Sequence, residues 1–261
     1  MPRFYCPGTL TVGAVQDLPA TAAHHVQVLR LATGDPVTLF NGDGGEHAAS
    51  IVEVSRKSVA VRVDAFLIRE AELPYAITLA QALPEASKMD WIIEKAVELG
   101  VSAVQPLAAQ RCVVRLSGDR AGKRGLHWQA IAVSASEQCG RNRVMTVAAI
   151  TDFPLFLTAG DGAEARRGAV SGPDRARKII LAPGAPQALA DWAREAGRQP
   201  VCLLIGPEGG FTAAETTLAE SRGALALGMG PRVLRTETAG LAAVAMLTGI
   251  WGESQQPGNG R

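Results

Sequence analysis

The first 70 or so residues alternate hydrophobic and polar positions in short runs rich in β-branched side chains. Such runs, bounded by turn residues at 41–45 and 55–57, predict β-strands that bury one face. The predicted strands are 36–41, 46–54 and 58–66, preceded by one helix around 22–31. This part of the chain is therefore predicted to form a small β-barrel.

From about Tyr75 the pattern changes to apolar strands that alternate with helices. The predicted strands are 77–83, 101–109, 178–183, 201–206 and 224–228, and the predicted helices are 187–196, 212–221, 237–250 and one capped by Ser87 and ended by Gly100. The apolar stripe of that last helix consists of Met89, Ile92, Ile93, Ala96 and Val97. Nearly continuous apolar strands separated by helices indicate an α/β fold with a parallel sheet covered on both faces.

The helix predicted at 237–250, ETAGLAAVAMLTGI, is apolar nearly all round and is expected to be buried on all sides. Burial in the core and burial in a dimer interface both explain this composition. Residues 158–177 are expected to be a loose insertion, and 253–261 a disordered tail.

The composition is that of a soluble globular protein, with 261 residues, 47% hydrophobic and 20% charged. No apolar run approaches the roughly 18 residues of a membrane span, and the N-terminus lacks the pattern of a secretory signal. The four cysteines are scattered and share no metal-binding spacing with the four histidines. We therefore expect a cytoplasmic protein with reduced thiols and no bound metal.

The charge is unevenly distributed, although the net charge is only +1. Residues 86–145 carry nine basic and five acidic side chains. A basic segment on a neutral protein favours a confined site for a polyanion, although an ordinary solvated face produces the same imbalance.

Three segments carry candidate chemistry: 206–210 (GPEGG), 228–240 (GMGPRVLRTETAG) and 136–144 (SEQCGRNRV), which closes a helix. The first two segments each follow a strand and precede a helix, and Thr212 with Glu215 forms a capping box after the first. Because parallel sheets bind ligands at the carboxyl ends of their strands, these two loops predict a ligand site, with plain structural turns as the alternative.

Neither of two common nucleotide-binding motifs explains these loops. The spacing of Gly228 and Gly230 resembles a Rossmann fingerprint, but only about 30 residues follow it, too few for the further strands that such a fold needs. No G-x-x-x-x-G-K-[ST] sequence occurs, which excludes a P-loop.

Four motifs together closely resemble the ribosomal RNA small subunit methyltransferase E family. They are KMDWIIEKAVELGV at 88–101, EQCGRNRV at 137–144, LLIGPEGGFTAAE at 203–215 and LGMGPRVLRTETAGLAAVAML at 227–247. The match runs from Arg3 to Trp251 and departs at Met145, where the family often has proline. The resemblance implies an enzyme that uses S-adenosylmethionine to form 3-methyluridine in 16S ribosomal RNA.

The resemblance also implies an architecture of the SPOUT class. Residues 1–72 are expected to form a PUA-like β-barrel that contacts RNA, and 73–252 an α/β methyltransferase domain tied in a deep trefoil knot. The expected partners are 16S ribosomal RNA within the small ribosomal subunit and a second copy of the chain.

The family carries its cofactor on the knotted loops, which implies contacts from Leu204, Ile205, Gly206, Pro207, Glu208, Gly209, Gly210, Leu227, Gly228, Val233, Leu234, Arg235 and Thr236. Because uracil N3 carries a proton, catalysis needs a base or a donor to the flanking carbonyl oxygens. Arg235 is the candidate donor and Glu137 the candidate base or orienter. Anchoring a phosphate, or pairing with Glu208 or Glu237, are alternative roles for Arg235.

The predicted RNA contacts are Arg111, Arg115, Arg141, Asn142 and Arg143, with Arg3 and Tyr5 from the first domain. Two rival functions fit parts of the pattern. One is a SPOUT methyltransferase acting on ribose 2′-hydroxyls or transfer RNA, against which EQCGRNRV and the N-terminal domain argue. The other is a non-catalytic RNA-binding assembly factor.

Overall fold

The structure is a computed structural model that describes residues 1–85, 87–158 and 176–252. The chain divides into two compact units, the first made of Met1–Glu72 with Val133–Val144 and the second of Leu73–Ala132 with Met145–Arg261. The sequence pattern had placed 133–144 in the second domain. Most of the predicted insertion, 159–175, and the predicted tail at 253–261 lie outside the described residues.

The first unit is built around a five-stranded sheet. Its elements are β1 (Arg3–Tyr5), β2 (Val15–Asp17), α1 (Ala20–Val28), β3 (Pro36–Phe40), β4 (Glu46–Val54) and β5 (Val59–Leu67). The strand order is β1-β3-β4-β5-β2, with β1 and β3 parallel and the other pairs antiparallel. The three predicted strands correspond to β3, β4 and β5. The three-residue strands β1 and β2 escaped prediction because a period of two is not visible over so few residues.

Alternation along the strands directs one face of this sheet into the core. In β5, Val59, Val61 and Val63 are fully buried, whereas the intervening Arg62 and Asp64 are exposed and form an ion pair at 2.9 Å. The alternation of apolar and polar residues along the strand therefore places the valines in the core, as the sequence pattern predicted.

The second unit is a parallel sheet with helices. Its strands are β6 (Ile77–Ala82), β7 (Ala103–Ala108), β8 (Thr146–Val147), β9 (Thr151–Asp152), β10 (Arg177–Leu181), β11 (Val201–Ile205) and β12 (Leu225–Leu227). Its helices are α2 (Lys88–Glu98), α3 (Gly118–Cys139, whose last residues belong to the first unit), α4 (Phe153–Thr158), α5 (Leu189–Ala196), α6 (Ala213–Ser221) and α7 (Thr236–Trp251).

The sheet order is β12-β10-β11-β6-β7-β8, with β9 paired to β7, and all pairs are parallel. Every residue of β6 and β11 is buried, as expected for central strands covered on both faces. The predicted α/β class is confirmed. Threading of the chain through a knot stays a prediction.

Helix α2 follows the predicted stripe, since its five apolar positions are all buried. Ser87 is the N-cap residue, as predicted, but its side chain makes no capping hydrogen bond. Its backbone, at φ −85° and ψ 4°, lacks the extended conformation that brings a capping oxygen over the first turn. Gly100 follows the helix in the left-handed region at φ 84°, which explains its place there.

Helix α7 packs closely on the sheet at Gly240, where a Cβ would lie only 2.8 Å from Leu79 Cδ1. Of the two predicted explanations for its composition, burial in the core of one chain does not account for the whole helix. Thr238, Ala245 and Gly249 are exposed, and they recur at helical spacing on one face. The apolar composition of α7 therefore exceeds what the core of one chain uses.

Within the described residues, no helix is long and apolar enough to cross a membrane. The same part of the chain contains no cluster of three or more histidine, cysteine, aspartate or glutamate side chains suited to hold a metal ion. All four cysteines are free thiols. Burial raises the pKa of Cys6 and of Cys202 to about 12, so both stay protonated at neutral pH.

Candidate functional site

The second unit contains a cavity of about 540 Å³ where the two predicted glycine-rich loops meet. The lining residues are 180–183, 205–211, 229–230 and 232–237, with Lys88, Thr216 and Ala239. The cavity thus lies at the carboxyl ends of β10 and β11, where an open parallel sheet binds ligands.

The first loop, 206–210, folds sharply back on itself after β11. A Cβ on Gly206 would lie 3.0 Å from the Phe211 nitrogen and 3.1 Å from the Gly210 Cα, both of them backbone atoms that cannot move aside cheaply. The Gly210 N–H donates to the Pro207 carbonyl at 2.8 Å, and Gly210 itself has φ 67°. Glycine is required here because the turn approaches its own backbone and then enters the left-handed region.

The predicted capping box holds the end of this loop. Thr212 Oγ1 accepts from the Glu215 N–H at 3.2 Å, and Glu215 Oε2 accepts from the Thr212 N–H at 2.8 Å. The other oxygen of the buried Glu215 accepts from the Gln110 N–H at 2.8 Å. One carboxylate therefore ties the start of α6 to the loop that follows β7.

The second loop joins the first through Thr236, the first residue of α7. Its hydroxyl donates to the Gly206 carbonyl at 2.6 Å and accepts from the Gln81 side-chain amide at 2.9 Å. Gln81 is fully buried in β6. These two bonds connect β6, the loop after β11 and the start of α7 at the cavity wall.

Charged side chains line one part of the cavity. The Lys88 ammonium donates to Glu208 Oε1 at 2.7 Å and lies 3.8 Å from Glu237 Oε2. The Glu85 N–H also donates to Glu208 Oε1, at 3.0 Å. The hydrogen bond to Glu208 raises the pKa of Lys88. Burial by itself would raise the pKa of Glu208, but the bonds from Lys88 and Glu85 hold it below its ordinary value.

Two arginines flank the loops. Arg111 donates from Nη1 to the Gly209 carbonyl at 2.8 Å and is otherwise exposed. Arg235 lines the cavity, and its side chain is exposed. The structure gives the pairing partner of Glu208 and Glu237 as Lys88, so pairing with Arg235 is not observed among the described residues.

Three of the residues implied as cofactor contacts do not line the cavity: Leu204, Leu227 and Gly228. Leu204 and Leu227 are buried within strands. Gly228 uses its N–H and its carbonyl in bonds with Gln187 and Leu189, each at 2.9 Å. The other ten implied residues all line the cavity.

The cavity also contains residues that the sequence pattern did not single out as ligand contacts, notably Lys88, Met229, Arg232, Glu237 and the segment 180–183. The segment 180–183 ends a predicted strand beside β11. Because open parallel sheets bind ligands at the carboxyl ends of their strands, the sequence could have identified this segment as a ligand contact. Lys88 carried no such signal, since it lies 120 residues before its partner Glu208.

Several residues that were predicted to contact RNA form hydrogen bonds within the first unit. Arg3 donates to Glu46 at 2.5 Å and to Asn142 Oδ1 at 2.6 Å, and Arg141 donates to Glu72 at 2.5 Å. Arg141 is only 3% exposed, and Asn142 is fully buried. Folding therefore already uses polar groups of Arg141 and Asn142 and shields both residues from solvent, which argues against phosphate contact; their contact with RNA stays a prediction.

Burial by itself would raise the pKa of Glu46, but the hydrogen bond from Arg3 and the charges of Arg3 and Arg69 hold it below its ordinary value. Arg143 differs from its neighbours because its side chain is 55% exposed, although its Nε lies 3.5 Å from Glu70 Oε2. It therefore keeps a guanidinium that external groups can reach.

Glu137 also belongs to the first unit. Its Oε1 accepts from the Tyr5 N–H at 2.9 Å, and burial raises its pKa. Glu137 is not among the residues that line the cavity in the described chain. Its predicted catalytic role stays a prediction, whereas its observed contact fixes the end of β1 against α3.

Two family profiles match the chain. One is described as an RNA methyltransferase domain and matches residues 71–248, and the other as an RNA methyltransferase PUA domain and matches residues 18–64. The first covers more than half of the chain and includes every residue that lines the cavity.

Individual proteins agree with these profiles. The chain is 32% identical to the ribosomal RNA small subunit methyltransferase E of Bacillus subtilis, over 86% of each chain. The structure of a Neisseria gonorrhoeae protein of that name, bound to S-adenosyl methionine, has a TM-score of 0.84 and 35% identity, covering 96% of this chain and 98% of that one. A Legionella pneumophila protein solved with the bound cofactor SAM has a TM-score of 0.84 and 37% identity, covering 95% and 96%.

Proposed function

The chain belongs to the ribosomal RNA small subunit methyltransferase E family, and from this membership we propose that it methylates N3 of a uridine in 16S ribosomal RNA, forming 3-methyluridine, with S-adenosylmethionine as the methyl donor. The observation that carries the proposal is the cavity between the two glycine-rich loops at the carboxyl ends of β10 and β11. Membership of the family supports methylation of small-subunit ribosomal RNA, and this cavity offers a site for the cofactor.

The cavity fits S-adenosylmethionine in size and in chemistry. Its volume of about 540 Å³ is ordinary for a small-molecule site, for which about 300–1,000 Å³ is typical. Leu181, Pro183 and Leu234 offer an apolar wall suited to an adenine ring. Because Gly206 and Gly209 have no side chains, the loop between them can bring its backbone groups close to a ligand. When bound, the cofactor supplies an electrophilic methyl group on its sulfonium.

We assign to Arg235 the stabilisation of negative charge on the uracil. Its exposed guanidinium lines the cavity, and a planar fork of N–H donors suits a carbonyl oxygen that gains charge. Replacing Arg235 by alanine is expected to lower kcat about 100-fold, the usual effect of losing one such donor. Activity within a few-fold of wild type on ribosomal subunits would exclude this role.

We propose Arg111, Arg115 and Arg143 as phosphate contacts, since all three side chains are exposed. Arg3, Arg141 and Asn142 are left out of this proposal because their side chains form hydrogen bonds within the first unit. The Tyr5 bond comes from its backbone N–H, so RNA contact by the Tyr5 side chain stays a prediction. Phosphate contacts position RNA without selecting a base, so the choice of target belongs to the cavity and to the shape of the RNA.

We further propose a homodimer formed through α7 and, as in the family, a knotted cofactor domain. The support for the dimer is the exposed small-residue face of α7, at Thr238, Ala245 and Gly249, on a helix whose composition is apolar nearly all round. Small side chains allow the backbones of two helices to approach closely.

Nucleoside mass spectrometry of small ribosomal subunits treated with the protein and S-adenosylmethionine tests the proposed reaction. The expected product is 3-methyluridine, and a ribose-methylated nucleoside would contradict it in favour of a 2′-hydroxyl methyltransferase. Calorimetry with the cofactor tests the other rival, because a non-catalytic assembly factor would show no binding.

A further inference from the structure

Two cavity carboxylates, those of Glu208 and Glu237, lie near the Lys88 ammonium, which forms a hydrogen bond to one of them. Lys88 is hydrogen-bonded to Glu208 at 2.7 Å, whereas its 3.8 Å distance to Glu237 is too long for a hydrogen bond. Glu237 Oε2 is buried, and no group of the described chain donates a hydrogen bond to it. Because a buried acceptor without a donor costs free energy, a cavity-lining group of this kind indicates a ligand that supplies the donor.

Hydrogen-bond donors line the same cavity beside this acceptor. Lys88 carries three N–H groups, one of which is used by Glu208. Arg235 precedes Glu237 by two residues, is exposed and also lines the cavity. Among the charged side chains of this wall, which also include Glu208 and Arg232, Glu237 is therefore an acceptor without a hydrogen-bond donor in the described chain, and Lys88 and Arg235 carry N–H groups that can serve a ligand.

We propose that Glu237 accepts the N3 proton of the target uracil while Lys88 and Arg235 donate to its two carbonyl oxygens. This inference rests on the proposed function. The base-pairing edge of uracil presents an acceptor, a donor and an acceptor, which complements a donor, an acceptor and a donor on the protein. Cytosine presents an unprotonated N3 to the carboxylate and an amino group to a cation, so the same wall rejects it.

The proposed reaction moves the N3 proton as well as the methyl group. The N3–H bond breaks, and its proton moves to the Glu237 carboxylate. The electron pair left on N3 forms the new bond to the methyl carbon, and the pair of the broken carbon–sulfur bond stays on sulfur as a neutral thioether. Lys88 is unsuited to be the base, because its hydrogen bond to Glu208 raises its pKa and keeps it protonated. Its charge instead stabilises the uracil as the proton leaves.

The test replaces Glu237 by glutamine, which keeps the shape but cannot take the proton and can turn either its oxygen or its NH2 group toward the base. We expect kcat to fall about 100-fold or more, as for loss of a general base, while calorimetric affinity for S-adenosylmethionine stays within about threefold. Glu220→Gln on α6, an exposed position outside the cavity, is the matched control and should keep wild-type kcat. Lys88→Met is expected to lower kcat without changing the product.

The pH dependence separates a base from a structural residue. The charged groups that line the cavity with Glu237 are Lys88, Glu208, Arg232 and Arg235, and the charge of Glu85 acts on Lys88. In E237Q the rate should rise about tenfold per pH unit in alkaline solution, because ionised uracil no longer needs a base, whereas the wild-type rate should be flat there. Equal pH profiles for E237Q and wild type would overturn the assignment.

The affinity for small ribosomal subunits, measured without cofactor, is a second test of the role of Glu237. Wild type should prefer uridine over cytidine at the methylated position by roughly tenfold, a usual discrimination by base-edge hydrogen bonds, and E237Q should lose most of that preference. A wild-type protein that makes no 3-methyluridine overturns the proposed function. A wild-type protein that makes it, beside an E237Q variant within threefold of its rate, overturns only the role of Glu237.

Discussion

At the scale of single residues, Thr236 connects three elements at the cavity wall. Its hydroxyl donates to Gly206 and accepts from Gln81, so it links a strand, a loop and a helix that are distant in sequence. Both partners are largely shielded from water, which makes each bond expensive to leave unmade.

Replacing Thr236 by valine should therefore destabilise the protein and loosen the cavity. The expected decrease is about 1–3 kcal/mol of unfolding free energy, the cost of unpaired buried polar groups, with weaker binding of S-adenosylmethionine. Urea denaturation and calorimetry measure the two effects. Thr248→Val, on the same helix but with an exposed hydroxyl bonded only to its own turn, should change neither, and equal effects for both variants would refute the link.

Glu46 shows a second residue-scale effect, in the first unit. It accepts from Arg3 and Arg69 and has a lowered pKa in the folded protein. A carboxylate with a lowered folded pKa stabilises the protein above its unfolded pKa and loses that effect as the pH falls through the folded value.

Glu46→Gln should thus cost about 1–3 kcal/mol at pH 7, since it leaves two guanidinium groups less well paired. The difference from wild type should shrink below pH 4.5, the ordinary value for this carboxyl, as the wild-type side chain becomes protonated. Denaturant titrations at both pH values measure it. Glu53→Gln, exposed on the same strand, should have no such pH-dependent cost; a difference for E46Q that is independent of pH would disprove the explanation.

At the scale of secondary-structure elements, helix α6 is fixed at its start by a side-chain pair rather than by packing alone. Thr212 and Glu215 satisfy each other's backbone N–H groups, and Glu215 also accepts from Gln110. The loop at 206–210 ends at this cap, so the cap also defines where the cavity wall begins.

Thr212→Ala is expected to lower the unfolding free energy by about 1 kcal/mol, as for other N-cap substitutions, and to weaken cofactor binding. Thr217→Ala, at an exposed position in the middle of the same helix, should be neutral or slightly stabilising because alanine has the higher helix propensity. Thermal and chemical denaturation of the two variants provides the comparison. A Thr212→Ala variant as stable as wild type would show that the cap is dispensable.

At the scale of the whole molecule, one helix face and the exposed arginines are the features that point beyond a single chain. The exposed face of α7 consists of the small residues Thr238, Ala245 and Gly249, and the proposed homodimer would cover it.

Ala245→Glu should convert a homodimer to monomers, since it introduces a charge into the proposed interface. Multi-angle light scattering measures the mass, and Ala214→Glu on the exposed face of α6 is the matched substitution, expected to leave the dimer intact. Wild-type protein of monomeric mass would remove the basis of the dimer proposal.

Neutralising Arg111, Arg115 or Arg143 one at a time should weaken binding to ribosomal RNA. Each substitution should also reduce the slope of affinity against salt concentration by about 1, because one phosphate is then no longer neutralised by the protein. Filter binding between low and moderate salt measures this slope. Arg62→Gln, in an exposed ion pair with Asp64, is the comparison expected to keep the wild-type slope. Unchanged slopes for all three arginine variants would contradict their assignment.

The sequence by itself determined most strands and helices of both units and the position of both glycine-rich loops, whereas the short elements β1, β2, β8, β9 and α4 were not predicted. Periods of two and of 3.6 residues encode burial directly, and the glycines of 206–210 record a turn too tight for other side chains. The four motifs also identified the family, which the comparisons confirmed. Local patterns suffice for these features because each depends on residues close together in the chain.

Only the tertiary structure decided which polar groups meet. Lys88 pairs with Glu208, which lies 120 positions further along the chain, and Arg141 turns inward to Glu72 although its neighbour Arg143 is exposed. An arginine in a basic segment has the same local pattern whether it faces solvent or a buried carboxylate. The partner that it finds depends on how distant strands and helices pack, and no short stretch of sequence contains that information.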